Sequence, residues 1–253
     1  MRSRKGEREQ GGKGAATEGP HSLVNEPEPN RRRALIALLL LAPIPSLGVI
    51  MAMVVAPGPV GKSIFTVAKI WLLVFPAAWY LLVEKGRPSW SPPRHGGLGT
   101  GAVSGVVVGG AIVAGAWLFG VQHMDLAPLR TEVQKMGLNS ALPYLAAAAG
   151  WTFVNSLMEE YVYRWFVFRQ CEALIKGWAA VIASAAIFTA HHVIAVSQYL
   201  DPLLTVLASA GVFAGGAAWS WLYMRYRSIW PGWISHVLAD IAVFGVGWFL
   251  LFG

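Results

Sequence analysis

Along most of this chain apolar residues do not alternate with polar ones; they run on. Runs at roughly 34–55, 63–83, 98–121, 140–168, 177–198, 203–224 and 230–252 each approach or exceed the ~20 residues that a bilayer core demands of a helix. The pattern predicts an all-α fold, a polytopic transmembrane bundle of about seven spans. Residues 1–33 break it. They are rich in Gly, Glu, Lys, Arg and Pro, have little to bury, and read as a disordered basic N-terminal tail ending in Arg31-Arg32-Arg33. The first apolar run is longer than the ~7–15 residues of a signal-peptide core, so it is expected to stay as a span, kinked at Pro43 and Pro45. No internal repeat is visible, and residues 34–253 read as one transmembrane helical domain.

Composition sharpens this. Only 13% of residues are charged, against about 25% in an ordinary soluble domain. The tail alone holds 8 of the 20 Lys+Arg and 5 of the 13 Asp+Glu. What remains excludes a solvated enzyme surface, and it excludes a nucleic-acid binder despite the net charge of +7. A single cysteine, Cys171, excludes an internal disulfide. With the tail inside, the inner segments (1–33, 84–97, 169–176 and 225–229) carry 15 basic residues and the outer ones only 3. That asymmetry places the N-terminus in the cytoplasm and the protein among lipids, in what is expected to be a bacterial inner membrane. Trp219, Trp221, Trp230 and Trp233 fall near span ends and fit an interfacial belt.

Two segments have structural readings. Gly97, Gly101, Gly105 and Gly109 recur every four residues on the third span, a stripe suited to close helix packing, within this chain rather than between copies. In the loop 125–139, Leu126, Leu129, Val133 and Met136 share one face, opposite Arg130, Thr131, Glu132 and Lys135. That pattern reads as a connecting helix lying in the interface.

Ionisable groups deep in spans cost a few kcal/mol each and are candidates for function. The fourth span carries Glu159, Glu160 and Arg164, the fifth His191 and His192, and the seventh His236 and Asp240. Lys69, in the second span, has no obvious partner and reads as snorkelling. Glu160 and Arg164 stand at i and i+4 with the acid first, the order of an intrahelical ion pair. Glu159 lies about 100° further round and needs a different partner. Counted from the turn at Lys176-Gly177, Glu160 and His192 lie at one level of a hairpin. His236 and Asp240 share a face in the inner half of their span. The set is expected to converge below the midplane, opening toward the cytoplasm. A carboxylate in such a setting suits general acid–base work on water, and imidazoles suit orienting that water, stabilising an oxyanion or binding a metal. Glu with two His is also a catalytic zinc set. Both routes lead to hydrolysis, of a peptide bond in or beside the membrane. There is no H-E-x-x-H, no G-x-G-D and no G-x-S-x-G, and Cys171 has no nearby His.

Glu159-Glu160-Tyr161-Val162-Tyr163-Arg164 fits E-E-x-x-x-R, Phe188-Thr189-Ala190-His191-His192 fits F-x-x-x-H, and His236-Val237-Leu238-Ala239-Asp240 fits H-x-x-x-N/D. In this order, each within its own apolar span, the three resemble the CPBP family, also called the Abi or CAAX-protease family, over about residues 140–245. The resemblance implies an intramembrane endopeptidase acting on a membrane-associated protein or peptide. It implies that Glu159 activates water, that His192 positions that water or a metal, and that His236 and Asp240 complete the site. Glu160 and Arg164 would be structural. A divalent metal such as Zn2+, if used, would be held by Glu159, His192 and His236. Trp165 departs from the small residue the family often has after the Arg, and His191 leaves the choice of histidine ambiguous, although spacing from Phe188 favours His192. Tyr161, Tyr163, Trp165 and Phe166 read as packing. The competing reading is a non-catalytic partner or immunity protein, or a small transporter, built on the same polar cluster. Against a transporter, the chain shows no matching halves.

Overall fold

The computed structural model describes residues 29–120 and 126–253; the first 28 residues of the expected tail, and residues 121–125 before the connecting helix, lie outside the described residues. The chain forms α1 (Arg31–Leu41), α2 (Pro43–Ile50), α3 (Pro59–Ala78), α4 (Leu98–Gly115), α5 (Leu126–Lys135), α6 (Ala141–Ala149), α7 (Ser156–Glu159), α8 (Arg169–Leu174), α9 (Trp178–Val196), α10 (Pro202–Tyr226) and α11 (Ile229–Phe252), with no strand among the described residues. Among the described residues six helices are long and apolar enough to cross a membrane: Arg31–Val55, Pro59–Val83, Leu98–Phe119, Trp178–Val196, Pro202–Tyr226 and Ile229–Phe252. Large apolar side chains along them remain uncovered by protein, among them Leu39, Val67, Val106 and Leu118. The chain is an integral membrane protein.

The first helix begins at Arg31, so the three arginines expected to close the tail form its first turn. The reason is local: the Asn30 side chain accepts a hydrogen bond from the Arg32 N–H at 2.9 Å, capping the helix three residues early. At the prolines expected to kink this span, only Ala42 separates α1 from α2, and it keeps helical backbone angles (φ -58°, ψ -36°) with its N–H bonded to the Leu38 carbonyl at 2.8 Å.

The expected fourth span differs from the other six. α6, α7 and α8 join end to end through π-helical turns at Gly150–Asn155 and Glu160–Phe168 into one rod from Ala141 to Leu174. Thr152, Asn155, Ser156, Glu159, Glu160 and Arg164 make it too polar to count with the membrane-crossing six. From Val162 to Cys171 every residue is buried, so this stretch is surrounded by protein rather than lipid. Phe75 of α3 packs edge-on against Phe166 (5.9 Å), Tyr80 against Trp165 (4.9 Å) and Tyr223 of α10 against Phe168 (5.8 Å). The end of the rod is tied by polar contacts. Gln170 donates to the buried Glu84 at 2.7 Å, and Arg227 makes a two-pronged ion pair with Glu172 at 2.6 and 2.8 Å.

α4 and α11 form a close-packed pair, and the glycine stripe faces that seam. A Cβ on Gly101 would meet the Pro231 carbonyl, one on Gly105 would meet Leu238 and Ser235, and one on Gly109 would approach the Leu238 carbonyl at 3.2 Å. Gly97 does a different job. It starts α4 in the left-handed region (φ 94°), with the Tyr226 ring where a Cβ would stand. At the other end of the chain order, Ser228 caps α11 by accepting from the Trp230 N–H at 3.3 Å.

Candidate active site

The rod, α9 and α11 bring the three motifs together. Glu159 is 7% exposed and Glu160 and Arg164 are fully buried. Glu159, His191 and His192 offer ligand atoms that all lie within 4.8 Å of one another. His236, from α11, bridges the two acids. Its Nδ1 lies 3.1 Å from Glu160 Oε1, and its Nε2 lies 3.7 Å from Glu159 Oε2 and 3.8 Å from Asp240 Oδ1. Nε2 thus has a carboxylate oxygen just beyond direct hydrogen-bond distance from each of two helices, the rod and α11.

The imidazoles are held by rings and carbonyls. The His192 Nδ1 lies 2.9 Å from the Phe188 carbonyl one turn back. A carbonyl only accepts, so Nδ1 carries the proton and Nε2 keeps its lone pair for water, substrate or metal. His191 lies parallel to the Tyr163 ring (5.8 Å, 11°), with the Tyr163 hydroxyl 3.4 Å from its Nδ1. His236 stacks on Trp219 at 3.8 Å and meets Phe188 edge-on at 6.3 Å. Trp219 in turn donates to Ser235 at 3.1 Å. That residue, expected in an interfacial belt, is 5% exposed and belongs to the site wall instead, because α10 turns its small Gly215 and Gly216 toward the same interior.

Glu160 and Arg164 pair as the spacing predicts, with Nε 3.4 Å from Oε1. The pair is more than intrahelical. Glu160 shares that oxygen with His236, and its other oxygen lies against Gly232 of α11, where a Cβ would overlap it. The Arg164 guanidinium lies 4.6 Å from the Phe188 ring and 5.3 Å from the Trp219 ring.

Several expectations change here. The donor group that converges is Glu159, His191 and His192, whereas His236 takes the space between Glu159, Glu160 and Asp240. Choosing one histidine by its spacing from Phe188 missed that both rings, 4.1 Å apart, reach the carboxylate. Lys69 does not snorkel. Its Nζ donates to Asn155 Oδ1 at 3.0 Å, and Asn155 Nδ2 donates to Glu159 Oε1 at 2.8 Å. Asn155 went unremarked in the sequence, although it stands four residues before Glu159 in an apolar run, one helical turn away. His192 stands about 21 Å along α9 from Trp178, in the second half of that helix, whereas His236 stands about 10 Å along α11 from Ile229, in its first half. The aromatics behave as packing: Tyr163, Trp165 and Phe166 are in the core, and the Tyr161 hydroxyl donates to the Leu73 carbonyl at 3.1 Å.

The donor chemistry of Glu159, His191 and His192 fits a divalent metal such as Zn2+, since one carboxylate and two neutral imidazoles are a catalytic zinc set and His192 already has the carbonyl partner that fixes a ligand's tautomer.

Residues 139–242 match a family model described as type II CAAX prenyl endopeptidase Rce1-like. The match begins just before the central rod and ends in α11 two residues past Asp240, so it contains all three motifs. No curated protein and no solved structure matches the chain.

Proposed function

We propose that this chain, an intramembrane protease whose core belongs to the Rce1-like type II CAAX prenyl endopeptidase family, hydrolyses a peptide bond of a membrane-associated substrate with Glu159 as the general base. The observation that carries the reading is the placement of Glu159. Its carboxylate is buried, held at Oε1 by Asn155, and turned at Oε2 toward His236, with His191 and His192 alongside.

In the step this suggests, a water near Oε2 gives a proton to Glu159 as its oxygen bonds to the scissile carbonyl carbon. The C=O electrons move onto its oxygen, and a histidine N–H stabilises that oxyanion. The C–N bond then breaks, and the proton on Glu159 passes to the leaving nitrogen. Asp240, 3.8 Å from His236 Nε2, lies beside the nitrogen that would face the oxyanion in this role. Glu160 and Arg164 hold the imidazole from its other side. A divalent ion, where one binds, would be held by Glu159, His191 and His192 and would supply an acidified water.

The family description names a substrate class, a prenylated C-terminal CAAX peptide, and an internally quenched peptide of that kind is the first probe. In lipid nanodiscs the wild-type protein is expected to cleave it and Glu159→Gln, folded and at equal concentration, to lose cleavage. Wild-type turnover by Glu159→Gln would remove Glu159 from the role of base. Metal analysis of the purified protein, with and without a chelator, separates the two ways of activating water. Comparing membrane-protein termini in cells carrying wild type or Glu159→Gln extends the same test to native substrates.

A further inference from the structure

We propose that Lys69 and Asn155 form a positioning relay that holds Glu159 in its working orientation, an inference that rests on Glu159 being the base. Lys69 lies on α3, outside the segment that matches the family, and crosses to the rod to meet Asn155. An ammonium group only donates hydrogen bonds, and an ionised carboxylate only accepts them. The side chain between them must therefore accept on one side and donate on the other, and a carboxamide does both. Only one of its two orientations satisfies both partners. With Oδ1 on Lys69 at 3.0 Å and Nδ2 on Glu159 at 2.8 Å, the chain of bonds has a fixed sense. Were the amide to turn over, its carbonyl would face the carboxylate and its NH2 the ammonium, and both contacts would repel. Lys69 is thus the element that locks the amide.

Two features make this more than a satisfied polar pair. The first is charge. Glu159, Glu160 and Asp240 gather round His236, and Arg164 sits on Glu160. Lys69 is the cation linked to Glu159. The second is geometry. Pinning Oε1 leaves Oε2 as the oxygen that faces His236 Nε2, which is the side where a reacting water must lose its proton. A carboxylate free to rotate would present either oxygen at any of several angles, and orientation of this kind is a large part of what an active site supplies.

The relay is tested on the full chain in nanodiscs with the prenylated peptide. Lys69→Met keeps an unbranched side chain one atom shorter and removes its charge and donors. Asn155→Leu removes the link. Either is expected to lower kcat about tenfold or more with KM unchanged. The double variant Lys69→Met/Asn155→Leu also removes the ammonium that Asn155→Leu alone would strand and leaves only Glu159 Oε1 short of its donor, so it keeps the test valid if Asn155→Leu alone folds poorly. Its kcat is expected to fall no further than that of Lys69→Met, as for two residues acting through one path. Lys69→Arg, which retains charge and donors, is expected to recover most of the loss. An infrared difference spectrum, wild type minus Glu159→Gln, isolates the Glu159 carboxylate band without any turnover, and Lys69→Met is expected to shift that band. A folded Lys69→Met protein with wild-type kcat and an unmoved band overturns the relay while an inactive Glu159→Gln leaves the proposed function standing. Wild-type turnover by Glu159→Gln overturns the proposed function instead, and the band then judges the relay alone.

Discussion

Neutralising Glu160 tests the buried charge pair behind the site. Glu160 and Arg164 are both fully buried, with Nε and Oε1 3.4 Å apart. At an effective dielectric constant of about 20, two unit charges at that separation attract by about 5 kcal/mol. Glu160→Gln abolishes this attraction and leaves the guanidinium charged. Its nitrogens have no other hydrogen-bond acceptor among the described residues, so the Phe188 and Trp219 rings become its main company. Breaking a buried pair from one side costs about 3–5 kcal/mol, because the surviving charge is stranded. The Gln oxygen can still accept one hydrogen bond, which puts the expected loss at the lower end, about 3 kcal/mol. Arg164→Met leaves the carboxylate with the His236 imidazole but without its cation, and is expected to cost about as much. The double variant Glu160→Gln/Arg164→Met strands nothing and is expected to regain most of the loss. Equilibrium unfolding of the four proteins in mixed detergent–SDS micelles measures the cycle. A Glu160→Gln protein as stable as wild type, or a double variant no better than the worse single one, would refute the reasoning.

Two further outcomes are expected. Gly105→Val should destabilise the α4–α11 seam by about 1–3 kcal/mol, because the new side chain meets Leu238 and the Ser235 backbone, whereas Gly110→Ala, with open space around it, should be near neutral; unfolding in the same micelles compares them. Trp219→Leu removes the ring stacked on His236 and close to Arg164, and should lower kcat more than it raises KM; peptide kinetics with a melting curve would show otherwise if only stability moved.

Much of this was legible in the chain. Seven apolar runs correspond to seven helical rods, the glycine stripe found its partner inside the molecule, and Glu160 met Arg164 one turn on. These features come from local periodicity, which a sequence carries directly. What stayed hidden depends on how rods are set against one another. Lys69 had no partner by spacing because its partner is 86 residues away on another helix. The spacing from Phe188 favours His192 and leaves His191 ambiguous, and in the structure both imidazoles offer a ring nitrogen within 4.8 Å of a Glu159 oxygen. Trp219 looked interfacial because position in a span was the available signal, and its burial comes from α10 packing against the site. The family match agrees with the resemblance carried by the three motifs, and its reach stops short of α3, where Lys69 stands.

The wide turns in the central rod set a rule about counting. Between Gly150 and Asn155, and again from Glu160 to Phe168, the backbone winds with one extra residue per turn. Deleting a single residue between Gly150 and Asn155 would let one wide turn close into an ordinary α turn, which covers the same angle with one residue fewer. Tyr144, which donates to the Phe244 carbonyl of α11 at 2.8 Å, and Glu159, which faces His236 on the same helix, would keep their common neighbour. The same deletion in the α-helical stretch just after Tyr144 would swing the two apart by about 100°, so this rod can lose a residue at a wide turn more safely than beside it.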